Sequence, residues 1–196
     1  MILETTSHRV IFQTELGWFG LAISRTAQDR PQIDKLTFGH PSETAARTDL
    51  EGKFATGMDT TWDESTEAEV QDWIEQLQQF ATGQCVDLRG LRLNLDYLSD
   101  FGRQVIQGCR DIPWGRTLSY GELAKQVGSP GASRAVGGVM ARNRHPLVVP
   151  CHRVIARSGA LTGFSAPDGT RMKQRLLENE KALNSKAERQ PRFAEC

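Results

Sequence analysis

The chain changes texture near residue 95, and that change limits how many bodies it can form. Before it, short β-prone runs mix with amphipathic helical runs. After it, the sequence breaks into brief helices separated by Gly, Ser and Pro. A chain of 196 residues is long enough for two domains of ordinary size. The reading is an α+β protein: an N-terminal mixed α/β domain over residues 1–95, a mainly helical domain over 96–183, and a polar tail over 184–196, expected to be mobile.

In the first part, Val10, Ile11 and Phe12 begin one strand. Gly17 and Gly20 flank Trp18 and Phe19 in a second, and Ile33 to Gly39 reads as a third. The run from Ser42 to Gly52 reads as a helix capped by the serine and stopped by the glycine. A stronger helix is expected from Thr66 to about Thr82. Val70, Trp73, Ile74, Leu77 and Phe80 share one face there, and Thr66 with Glu69 has capping-box spacing. Leu91, Leu93, Leu95 and Tyr97 alternate, which predicts a fourth strand.

In the second part, Phe101, Val105, Ile106 and Cys109 define the apolar face of one helix, with Cys109 a core residue. A Pro113-Trp114-Gly115 turn follows. Ser119 and Glu122 form a capping box that opens the helix YGELAKQVG. Pro130 is expected at the first position of the next helix, GASRAVGGVMAR. Two short helices joined by a tight turn make a helix-turn-helix pattern, which many proteins use without touching DNA. The second helix is rich in Gly131, Ala132, Ala135, Gly137 and Gly138. Interior glycine costs about 1 kcal/mol per position in a helix. Such a bare face therefore implies close approach of a neighbouring element or a nucleic-acid backbone. Arg134 projects from it.

The net charge is zero, but residues 1–95 hold 8 Lys/Arg against 15 Asp/Glu, and the remainder holds 16 against 9. That imbalance points the second part toward a polyanion. The four cysteines (85, 109, 151 and 196) show no Cys-x-x-Cys pair or regular spacing, which disfavours a disulfide framework and suggests reduced thiols. The histidines lack metal-ligand spacing, and neither a metal nor another cofactor is expected. No apolar run reaches a membrane-spanning length, so a cytoplasmic protein without a membrane partner is expected.

The sharpest motif is VVPCHRV, Val148 to Val154. A cysteine attacks as thiolate, so a working thiol needs a lowered pKa or a base within reach. His152 is the nearby base and Arg153 adds positive charge. A base of this kind needs an orienting acid, and Glu178 and Glu180 in the last helix both qualify by position.

Pro150-Cys151-His152-Arg153-Val154 resembles the active-site signature of the O6-alkylguanine-DNA alkyltransferases. SYGELAKQVG, SRAVGGVMARN, SGALTGFSAP and RLLENE resemble the same family's C-terminal domain, and the Gly-Trp-Phe-Gly-Leu-Ala hairpin its more variable N-terminal domain. The likeness spans about residues 8–183. It implies a ribonuclease H-like first domain and a winged-helix-like helix-turn-helix in the second. It also implies irreversible transfer of an alkyl group from O6-alkylguanine in duplex DNA to Cys151, with O4-alkylthymine as a further candidate substrate. The partner would be double-stranded DNA, bound through the minor groove by a monomer, associated with the nucleoid if the source is bacterial.

The resemblance further assigns roles. Glu180 would orient His152, which would reach Cys151 through a water. Tyr120 would donate to guanine N3, and Asn143 would brace the turn that bears Cys151. The Ser165 N–H would bond O6, the carbonyls of Cys151 and Val154 would read the exocyclic amine, and Phe164 would line the base pocket. Arg134 would fill the gap left by the flipped base, while Ser119, Ala132, Ser133, Ala135, Gly137 and Arg142 would touch DNA. One departure is plain. The family commonly has proline directly after the asparagine, whereas Arg144 and His145 precede Pro146 here. Either the turn is looser or Arg144 contacts a phosphate. Two other readings stand beside transfer: an alkyltransferase-like protein that binds damage without repairing it, which typically lacks the cysteine, and an unrelated cysteine hydrolase.

Overall fold

A computed structural model describes residues 8–51 and 62–181. The chain divides into two compact units, Met1–Leu95 and Asp96–Cys196. The polar tail and the Gly52 helix stop lie outside the described residues.

The first unit is built on an antiparallel meander, β1 (His8–Thr14), β2 (Gly17–Arg25) and β3 (Pro31–His40), in that spatial order. The central strand is covered on both faces, so Phe19, Leu21, Ala22 and Ile23 are fully buried. Helix α1 (Glu43–Glu51) packs on this sheet, and Ser42 accepts the Ala45 N–H at its start. Gly20 marks the closest approach: a Cβ there would lie 2.7 Å from the Leu50 side chain. Helix α2 (Glu64–Ala81) buries Val70, Trp73, Ile74, Leu77 and Phe80, the face expected from the sequence.

Two expectations fail in this unit. Asp63, not Thr66, caps α2: its carboxylate accepts the Thr66 N–H at 2.8 Å, and Thr66 is buried inside the first turn. The alternating run Leu91–Tyr97 is not a strand. It makes one parallel bridge, Leu93 with Ile33. Its polar side chains take over the tethering, Asn94 donating to Asp34 at 2.7 Å and Arg92 to the Pro31 carbonyl at 2.8 Å.

The second unit begins with α3 (Asp100–Arg110), capped by Ser99. Val105, Ile106 and Cys109 are fully buried, whereas Phe101 is only half-buried. Helix α4 (Tyr120–Gln126) carries the complete Ser119–Glu122 capping box. It sits tightly on α3, where a Cβ on Gly108 would come within 2.8 Å of the Val127 side chain. Helix α5 (Ser133–Ala141) starts later than expected, because Gly131 adopts φ +91° and interrupts helical geometry. Pro130 therefore belongs to the turn. Two-residue strands β4 (Leu118–Ser119) and β5 (Val154–Ile155) pair in parallel, and α6 (Thr170–Asn179) closes the unit. That short pairing brings the start of α4 beside the Cys151–Arg153 turn, a single 3-10 turn. Among the described residues no helix is long and apolar enough to cross a membrane.

The cap assignment has a measurable consequence. Asp63→Ala should lower the midpoint of chemical denaturation, as loss of an N-cap does. A negligible change would return the capping role to Thr66.

Candidate active site

Leu118 opposite Val154, and Ser119 opposite Ile155, set the geometry of the site. The pairing aligns the first turn of α4 with the residues just after the cysteine. One cleft of about 790 Å³ opens there, lined on one side by Ser119, Tyr120, Ser133, Arg134 and Gly137 and on the other by Thr162, Phe164 and Ser165, with Cys151 at its wall. Cys151 is 9% exposed. It is the one thiol lining this cleft, and Cys109 is free but wholly buried.

The remaining predicted residues stand behind or beside this cleft. His152 is completely buried behind the cysteine. Its Nε2 lies 2.8 Å from Oε1 of Glu180, the residue that caps the C-terminus of α6. A carboxylate at that distance accepts a proton from Nε2, which leaves the Nδ1 lone pair as the basic site. Glu178, the other positional candidate, is exposed and accepts from Gln174 instead. Asn143 accepts the His145 N–H at 2.9 Å and donates to the Val149 carbonyl at 3.0 Å, and its side chain helps to lower the pKa of the Cys151 thiol. Ala135 and Arg142 are exposed on α5, and the Arg142 guanidinium lies along the helix close to Gly138. Ala132, half-buried, caps the helix start. Gly137 faces the Tyr120 ring, and a Cβ there would stand 3.9 Å from it, an ordinary van der Waals contact. The Tyr120 hydroxyl is 3.4 Å from that of Thr162, across the cleft.

Val154 is buried and does not line the cleft. Its carbonyl accepts from Nζ of Lys173 at 2.7 Å, and the Cys151 carbonyl accepts the Val154 N–H. Both carbonyls expected to read a base amine thus already hold one internal hydrogen bond, leaving one lone pair each.

Two cations were misjudged or missed. Arg153 does not project its charge at the thiol. It is buried, forks onto Glu180 at 2.9 and 3.0 Å, and donates to the Ile112 carbonyl at 2.6 Å. Lys173 is 1% exposed and bridges the Val154 and Thr162 carbonyls, at 2.7 and 3.3 Å. It ties the segment after the cysteine to the opposite rim of the cleft. The signal for it was present: Lys173, Leu176, Leu177 and Glu180 follow i, i+3, i+4, i+7 spacing, so a lysine shares the apolar stripe of α6.

Electrostatics follow from this packing. Burial pushes the Cys151 thiol above its ordinary value of 9.0, against opposing help from Asn143 and Lys173. Burial also lowers the His152 pKa, outweighing the hydrogen bond to Glu180. The resting pair is therefore a neutral thiol and a neutral imidazole. Burial alone would raise Glu180, but His152 and Arg153 prevail and hold its pKa at about 2, below its usual 4.5. A depressed carboxylate contributes stability above its unfolded-state pKa and loses it as pH falls through its folded-state pKa.

Between about pH 4.5 and about pH 2 the domain should accordingly lose the stability that Glu180 contributes. Glu180→Ala, which strands the Arg153 cation, should cost about 3–5 kcal/mol at neutral pH, with the deficit shrinking across that acid window. Denaturant titrations of both proteins over pH check this, and a deficit independent of pH would contradict it.

A family model described as the 6-O-methylguanine DNA methyltransferase DNA-binding domain matches residues 100–182. The methylated-DNA–protein-cysteine methyltransferase of Mycolicibacterium paratuberculosis is 42% identical over 128 residues, which is 62% of this chain and 71% of that protein. The crystal structure of Mycobacterium tuberculosis O6-methylguanine methyltransferase superposes with a TM-score of 0.65 at 31% identity, covering 90% of this chain and 94% of that one. A structure of OGT from the same organism in complex with DNA gives 0.62 at 30% identity, covering 89% and 93%. With that extent of likeness, and with a nearly buried thiol next to a histidine paired with a buried glutamate, the chain belongs to the methylated-DNA–protein-cysteine methyltransferase family.

Proposed function

We propose that this protein repairs O6-alkylguanine in duplex DNA by a single transfer of the alkyl group to Sγ of Cys151. One observation carries the reading: Cys151 borders a cleft between Tyr120 and Arg134 on one side and Phe164 and Ser165 on the other, with the His152–Glu180 pair directly behind. On this reading α4 and α5 are the helix-turn-helix of a winged-helix-like domain, and the first unit is ribonuclease H-like. A monomer lays the exposed face of α5, with Ala135 and Arg142, into the minor groove, and the target guanine flips into the cleft. Unstacking costs a few kcal/mol, less for a damaged base. Arg134, exposed at the start of α5, occupies the vacated space.

The chemistry uses the resting protonation states. The thiol proton passes to Nδ1 of His152 through a bridging water, and Glu180 stabilises the resulting imidazolium. Sγ forms a bond to the alkyl carbon as the bond from that carbon to O6 breaks. The departing guanine anion is relieved by Tyr120 donating toward N3 and ends as neutral guanine, the proton lost by the thiol balancing the one gained by the base. Burial of Cys151 keeps thiolate scarce until this moment, so the thiol is protected from adventitious alkylation. A thioether carries no electrophilic carbonyl, so water does not release the product as it would an acyl-enzyme. O4-alkylthymine, with its smaller base, is a further candidate substrate on this reading.

Excess O6-methylguanine duplex mixed with limiting protein should give a burst of one equivalent, with the added methyl on the peptide containing Cys151. Cys151→Ser should abolish it while retaining DNA binding. Turnover beyond one equivalent, or methyl on another cysteine, would overturn the reading. His152→Ala should slow the burst by about 10²–10⁴-fold, the usual range for a lost general base, without changing its amplitude.

Arg134→Ala should impair repair of duplex far more than reaction with free O6-alkylguanine base, because a free base leaves no gap in a stack. Equal losses on the two substrates would assign Arg134 a structural role.

A further inference from the structure

We propose that Tyr97 is a positioning residue for Cys151: its ring is the platform on which Arg144 stacks, and the pair holds the Asn143–Val149 turn against the nucleophile. The inference rests on Cys151 being the alkyl acceptor. The Arg144 guanidinium carbon lies 3.9 Å from the Tyr97 ring centroid, well inside cation–π range. The next residue extends the contact, with the His145 and Tyr97 ring centroids 6.1 Å apart. His145 is fully buried. Tyr97 is two residues from Ser99, whose side chain caps α3, so the platform is anchored to that helix.

The turn needs such a clamp. Leu147 is buried with φ +72°, a left-handed conformation that a leucine adopts only under restraint. Asn143 restrains the turn from inside, through the His145 N–H and the Val149 carbonyl. Val149 N–H returns to the His145 carbonyl at 2.8 Å, and the Val149 carbonyl also accepts the Cys151 N–H at 2.7 Å. The Cys151 N–H is therefore held by a turn whose outer side rests on Tyr97. Tyr97 does not line the cleft, so it acts through the turn and not on the substrate. The Arg144 guanidinium, standing where a rigid residue is common, faces the Tyr97 ring.

The test compares Tyr97→Leu, Tyr97→Phe and Arg144→Ala with wild type, at a temperature where circular dichroism shows each folded. Three quantities are read: the single-turnover rate on O6-methylguanine duplex, the pH profile of Cys151 alkylation by iodoacetamide without DNA, and the salt slope for binding undamaged duplex. Asn143, Lys173 from α6 and Cys109 from α3 face the thiol and are unaltered in all three variants. Tyr97→Leu and Arg144→Ala should slow transfer by about 10-fold to 10²-fold, the cost of a misplaced reacting group. Both should move the alkylation profile to higher pH, as Asn143 loses its hold on the thiol. Tyr97→Phe, which keeps the ring, should restore the wild-type rate and profile. The salt slope should stay unchanged in Arg144→Ala, whereas a lost phosphate contact would reduce it by about 0.9. Wild-type rates and profiles in folded Tyr97→Leu and Arg144→Ala would overturn the proposal, as would that reduced slope or a failure of Tyr97→Phe. Should Tyr97→Leu not fold, the half-exposed Arg144→Ala decides alone. Absence of transfer by wild type itself would instead sink the alkyl-transfer reading, and the iodoacetamide profiles would still report on the clamp.

Discussion

The buried carboxylate of Glu180 is the interaction on which the second unit turns. It receives His152 and Arg153 together, and its Oε2 also accepts the Gly115 N–H at 3.3 Å. One side chain therefore joins the end of α6, the turn after α3 and the cysteine turn. A buried ion pair yields little net stability over an apolar replacement of equal shape, but losing one partner is costly. Its value here is geometric. Arg153 supplies a permanent counter-charge, so the carboxylate stays ionised and fixes which imidazole nitrogen carries the proton.

Two weak local devices translate that anchor into a site. The β4–β5 pairing has two residues per strand, too few to persist alone, yet it aligns Tyr120 with the cysteine turn. Lys173 holds both sides of the cleft through backbone carbonyls. The burial that makes these contacts strong also neutralises Cys151 and His152. Alkyl transfer as proposed would then begin with moving a proton within a prepared network.

Local patterns were read well from sequence wherever a short-range rule governs. The apolar faces of α2 and α3 and the Ser119–Glu122 box were legible in side-chain spacing alone. The failures have physical causes. Thr66 and Asp63 both suit a cap, and spacing does not tell which side chain faces solvent. Leu91–Tyr97 alternates like a strand, but a strand also needs an available partner, and only Leu93 finds one. In the site, proximity along the chain misled: Arg153 is two residues from Cys151 yet points to an acid 27 positions away. Spacing left Glu178 and Glu180 equivalent, and the family resemblance selected the one whose carboxylate lies beside His152. The Arg144–Tyr97 stack joins residues 47 positions apart and had no local signature.

The thiol is the least integrated member of its own motif. Pro150, Cys151, His152, Arg153 and Val154 are all buried, but of the five only Cys151 also lines the open cleft. On the proposed reading, replacing the sulfur would remove the reaction yet leave the backbone bonds of the turn in place, from the Cys151 N–H to Val149 and from the Val154 N–H to Cys151.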